Sequence, residues 1–206
     1  MLKYNVCSYK DEIETHCNAS LQKKMVKKKK LRIAFCTAVI ILSPWFWKII
    51  SANVALGLLL AMTSILLATI SDHRRYKLWP LIFLFLLICF WQGKTTKKQN
   101  FSLGLREGSR RVVNNFVEAI DPNLYFFANH PRERVGIPEF EKFFFFFLPF
   151  FVLGFFNLVR KWPLSLWLLA LAAPLFLTSL TGHQNFFGPF SIFPFITAAV
   201  TAGFFR

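Results

Sequence analysis

Two clusters in this 206-residue chain combine polar groups in a way that suits chemistry. The first is Arg106, Arg110 and Arg111, with Glu107 among them. The second is His130, Arg132, Glu133 and Arg134, just before Gly136 and Pro138. A guanidinium presents a planar fork of donors that meets phosphate bidentately, so Arg132 and Arg134 can clamp a phosphate or pyrophosphate. Arg106, Arg110 and Arg111 can do the same from a helix. His130 or Glu133 can serve as an acid or base. The plainer alternative is an interfacial helix followed by a loop stitched by Arg–Glu pairs, which are individually weak. His183 stands alone in the segment 181–189 and reads as a solvated loop residue. No GxSxG, HExxH, Walker loop or GxGxxG occurs. His16 beside Cys17 supplies two metal ligands without a second pair, so no metal site is expected. No cofactor is expected either.

The helix that must hold the first cluster spans 103–120. Leu105, Val112, Val113, Phe116 and Ile120 recur on one face at helical spacing. The arginines lie mostly away from that face, and Glu107 can pair with Arg111 at i,i+4. Asp121-Pro122 ends the helix, because proline disfavours helical backbone in the residue before it. The aromatic trio Tyr125 to Phe127 is expected to dip into a membrane interface.

Around this stretch the chain is strongly apolar. Hydrophobic residues make up 55% of it and Phe alone occurs 27 times. The apolar residues fall in blocks of about 15 to 20 almost free of charge, the mark of bilayer-spanning segments. This excludes a compact soluble enzyme, a disulfide scaffold and a disordered tail. The four cysteines lack CxxC spacing, and Cys36 and Cys89 lie inside apolar blocks.

The expected fold is therefore all-α: a polytopic transmembrane bundle of about six spans, with one outer loop containing an interfacial amphipathic helix. Residues 1–30 read as a retained basic cytoplasmic tail. Residues 31–92 hold three transmembrane helices, 93–142 form the extracytoplasmic loop, and 143–206 hold three more. The blocks run at about 31–47, 54–70, 78–91, 143–159, 163–180 and 190–205. The first two are joined by a tight interfacial hairpin near 48–53, with Trp45 and Trp47 in the aromatic belt.

The net charge of +15 would suit nucleic acid in a soluble protein. Here the cations sit mostly at block ends, where they orient helices and meet anionic lipid, so lipid is the expected partner and nucleic acid is not. With the N-terminus in the cytoplasm, fifteen of the 25 Lys and Arg fall on the cytoplasmic side. The cell membrane is the expected location. Apart from Arg32 at the edge of the first block, no Asp, Glu, Lys or Arg lies within a predicted span, which disfavours a proton-coupled transporter or ion pump.

Over roughly residues 75–206, the order "DPNLYFF", "LPFFVLGFFNLVRKW", "LALAAPLFLTSLTG" and "FPFITAAVTAG" resembles the later membrane half of bacterial phospholipid-carrier-dependent glycosyltransferases. These belong to the GT-C superfamily, with protein O-mannosyltransferases and lipid A aminoarabinose transferases. The resemblance implies sugar transfer from a polyprenyl-phosphate sugar at the outer face, with the arginines above near the lipid phosphate. The family's catalytic Asp lies in the first large outer loop. The first outer turn here, near 48–53, has no acid, so no catalytic residue is carried over. The family also has about twice as many spans, which points to a truncated or partner-dependent form with a second membrane subunit. The alternative is a non-enzymatic membrane scaffold or assembly subunit.

Overall fold

The computed structural model describes residues 5–70, 79–95, 105–127, 142–181 and 190–205, and among them all regular structure is helical. The helices are α1 (Asn5–Leu42), α2 (Pro44–Ala52), α3 (Val54–Ile70), α4 (Trp79–Thr95), α5 (Leu105–Ile120) and α6 (Asn123–Phe126). They are followed by α7 (Leu148–Lys161), α8 (Leu164–Trp167), α9 (Ala173–Thr181) and α10 (Phe193–Phe204). Short 3-10 turns at Phe145–Phe147 and Phe190–Ile192 lead into α7 and α10.

Breaks fall where backbone chemistry demands them. Pro44 has no N–H to continue the ladder of α1, so the chain turns at Ser43. The Ser43 hydroxyl accepts from the Phe46 N–H at 3.4 Å and caps α2. Met25–Leu42 and α2 are bent by 72° across this elbow. The expected hairpin at 48–53 is therefore displaced: the first apolar block breaks at Ser43, and a second break follows at Asn53. The Asn53 side chain accepts from the Leu56 N–H at 3.0 Å and starts α3. Between α8 and α9 the ladder slips into a π segment, Leu168–Ala172. Pro174 has no N–H for the Ala170 carbonyl, and just before it the Ala173 N–H bonds Leu168, five residues back.

The centre of the molecule is α10. Every residue from Phe190 to Gly203 is buried. Helices α7, α3 and α1 pack around it. Its direction relative to α1 is fixed at both ends. Phe193 lies 5.5 Å from Trp45, ring to ring, while Phe204 stacks on Phe35 at 3.9 Å. The two helices are thus antiparallel.

α7 is antiparallel to α10 as well. Phe150 near its start lies 5.6 Å from Phe204, ring to ring, and Trp162 just after its end lies 6.1 Å from Phe195. Six alternating spans would instead run the fourth and sixth blocks parallel.

No single helix among the described residues is long and apolar enough to cross a membrane. The bent pair meets that test together, and Val54–Thr69, Leu164–Leu180 and Phe190–Phe204 are shorter apolar helices. Four buried hydroxyls in them bond back to their own ladder. Thr63 donates to Leu59, Ser64 to Leu60, Thr197 to Phe193 and Thr201 to Thr197, all at 2.7–2.8 Å. Such bonds satisfy a hydroxyl without water.

Candidate functional site

Helix α5 carries the part of the arginine cluster that the structure describes. It has three distinct sides. Asn115, with Val112 before it and Ala119 after it, marks the side turned to α9, where the Asn115 amide donates to the Ser179 carbonyl at 3.1 Å. Val113, Phe116, Val117 and Ile120 form a second side, an i, i+3, i+4, i+7 stripe that stays exposed. At 100° per residue Arg110 borders that stripe and Arg111 lies opposite it; both are exposed. Arg106 is one turn before Arg110 on the same helix, and its side chain lies outside the described residues. So do His130, Arg132, Glu133 and Arg134, and with them the closing of the two arginine clusters into one pocket.

The aromatic trio behaves differently from its sequence expectation. Only Phe127 is exposed; Tyr125 and Phe126 are buried inside the protein. The Tyr125 hydroxyl donates to the Ala119 carbonyl at 2.8 Å and so ties α6 to the last turn of α5. Burial raises its pKa above the ordinary tyrosine value, and the nearby Asp121 carboxylate pushes the same way. Trp45, expected in the aromatic belt, is fully buried against Tyr125, Phe143 and Phe193.

The residue the sequence reading passed over is Lys142. It is 8% exposed. Its ammonium donates to the Leu124 carbonyl at 2.7 Å and sits 5.9 Å from the Trp45 ring and 6.0 Å from the Tyr125 ring. That is cation–π range. Its backbone carbonyl accepts from the Ser43 hydroxyl at 2.7 Å and from the Trp45 N–H at 3.4 Å. One lysine thus joins the α1–α2 elbow, α6 and the entry to α7. The available signal was a lysine directly followed by five Phe, a place where an exposed cation has little reason to be.

A second cation marks the opposite end of α10. Arg32, 6% exposed, lies over the Phe205 ring at 5.8 Å. The exposed Lys27 to Lys30 precede it by one turn of α1.

The outward faces of the apolar helices are apolar too. Val54, Leu58 and Met62 line α3; Phe83, Leu86 and Phe90 line α4. Leu168, Phe176 and Leu180 continue the pattern along Leu164–Leu180.

The chain matches no protein-family model, no characterised protein and no solved structure.

Proposed function

We propose that this chain is a multi-pass helical membrane protein that handles a lipid-linked phosphate at one membrane face. The observation that carries this reading is the set of outward apolar stripes on α3, α4 and Leu164–Leu180. Exposed apolar stripes of this kind are unfavourable in water and natural in lipid. Self-bonded hydroxyls in α3 and in Leu164–Leu180 suit a waterless surrounding.

Within this reading α5 lies in the interface. Its exposed stripe of Val113, Phe116, Val117 and Ile120 faces the acyl chains, and Arg110 and Arg111 reach head groups. The chemistry is that implied by the resemblance to carrier-lipid glycosyltransferases: transfer of a sugar from a polyprenyl-phosphate donor. The leaving group there is a lipid phosphate, whose developing charge arginines stabilise. Arg106, Arg110, Arg111, Arg132 and Arg134 are the proposed phosphate contacts, and His130 and Glu133 the proposed acid or base.

The test is sugar transfer in proteoliposomes loaded with a polyprenyl-phosphate sugar, with and without candidate membrane partners. Transfer that is lost in Arg110→Gln/Arg111→Gln supports the reading. No transfer under any condition, with the protein folded and inserted, leaves the scaffold role.

A further inference from the structure

The segment from Lys142 to Trp162 has the composition of a membrane crossing, yet its path doubles back. Phe143 starts at the N-terminal end of α10, its ring 5.3 Å from Phe193. Seven residues later the Phe150 backbone lies against Gly203, and its ring is 5.6 Å from Phe204 at the other end. Trp162 is again beside Phe195, at 6.1 Å, near the end where the segment began.

We infer that residues 142–162 form a re-entrant hairpin, which enters and leaves through the membrane face that carries α6. Arg160 and Lys161 then join Arg110 and Arg111 on the head-group rim of one leaflet. The inference rests on the membrane reading above.

Length supports it. The 14 residues of α7 rise about 21 Å at 1.5 Å each, well short of the roughly 30 Å hydrocarbon core. Apolar helices of this size are more often re-entrant or buried than spanning. The descending leg is not regular α-helix, and irregular backbone is tolerated at membrane depth only where protein covers it. Here the Phe143 N–H donates to the Tyr125 carbonyl at 2.8 Å and the Phe147 N–H to the Phe144 carbonyl at 3.0 Å. Phe143 and Phe147 are themselves buried, while the Phe145 and Phe146 side chains face outward. The ascending leg is seated by Gly154, which lets α7 lie flush on Ala199 and Gly203. Asn157 fastens it further, donating to the Ala202 carbonyl at 3.1 Å.

The charges sort accordingly. Lys142, Arg160 and Lys161 belong to the N-terminal end of α10. Arg32 and Lys27 to Lys30 belong to its C-terminal end.

The test uses the full chain with its four native cysteines replaced. Single cysteines are introduced by Lys161→Cys, by Asn123→Cys on α6 and by Lys27→Cys on α1, all exposed positions. An impermeant maleimide is applied to intact cells and again after permeabilisation. The hairpin requires Lys161→Cys to label with Asn123→Cys and opposite Lys27→Cys. If Lys161→Cys labels with Lys27→Cys while the two references differ, α7 crosses and the hairpin is wrong. Labelling from neither side also overturns it, because Lys161 is exposed in the hairpin. If the two references label from the same side, the membrane reading itself fails. Arg160→Cys repeats the test should Lys161→Cys not accumulate.

Discussion

Gly154 and Gly203 meet so closely that neither has room for a side chain. A Cβ on Gly154 would overlap the carbonyl oxygen of Ala199, and one on Gly203 would overlap that of Phe150. In both cases the obstacle is backbone, which cannot swing aside as a side-chain tip can. Helices in apolar surroundings associate through packing of this kind, since burial from water drives them little.

Gly154→Ala and Gly203→Ala should therefore each destabilise the protein by about 1–3 kcal/mol, the usual cost of overpacking. Thermal unfolding in detergent, followed by tryptophan fluorescence, measures this. Val152→Ala, on the exposed side of α7, should stay within about 0.5 kcal/mol, as surface changes do. Equal losses from all three would show that α7 does not seat on α10 through its glycines.

Lys142→Met keeps the length of the side chain and removes its charge. The Leu124 carbonyl loses its donor, at about 1–3 kcal/mol for an unsatisfied buried group. Loss of the contacts with Trp45 and Tyr125 adds roughly 0.5–2 kcal/mol. The same unfolding assay should show a clear loss of stability and a shift in the emission of the buried Trp45. Lys142→Arg, which keeps the cation, should lose less. A fully stable Lys142→Met would mean that the aromatic junction holds without the ammonium.

Tyr125 gives a pH prediction with a definite sign. Its folded pKa is raised by burial and by Asp121, whereas the unfolded value is about 10. Its contribution is fully present below pH 10 or so and is lost as pH climbs towards the folded value, because only the unfolded chain then releases the proton. Ultraviolet titration of the folded protein should leave one tyrosine silent above pH 11 or so, and Tyr125→Phe should abolish that silent group. A normal titration of every tyrosine would contradict the buried α5–α6 junction.

The placement of α5 in the interface can be read by spin labels. Val117→Cys, on the exposed apolar stripe, should carry a label accessible to oxygen in the bilayer. Asn114→Cys, on the polar side, should carry one accessible to a water-soluble nickel chelate. The same accessibility at both positions would remove the interfacial assignment.

Much of the local structure was legible because proline and capping residues write it directly. Asp121-Pro122 ends α5 at Ile120 as expected, and the apolar blocks appear as helices. The break at Ser43 was hidden because Trp45, Phe46 and Trp47 keep the hydropathy high beyond Pro44. The direction of residues 143–162 was hidden for another reason. Composition reports how apolar a segment is, not which partner it lies against, and the ring contact of Phe150 with Phe204 that reveals its path joins positions 54 residues apart. Of the candidate site, the amphipathic side of α5 could be read from spacing. The buried state of Tyr125 could not, since it depends on Trp45, which arrives from a distant part of the chain, and on the Phe143 N–H that bonds its carbonyl.

The burial of α10 from Phe193 to Gly203 also sets an order of events during synthesis. Its three principal neighbours, α1, α3 and α7, all leave the ribosome before it does. Until α10 arrives they have no centre to close upon. Surfaces that end up inside, such as the glycine groove of α7, must wait uncovered in the meantime, and exposed intermediates of this kind are prone to mispairing. Folding quality in the cell should accordingly depend less on how quickly the early helices form than on how long they are kept apart from one another.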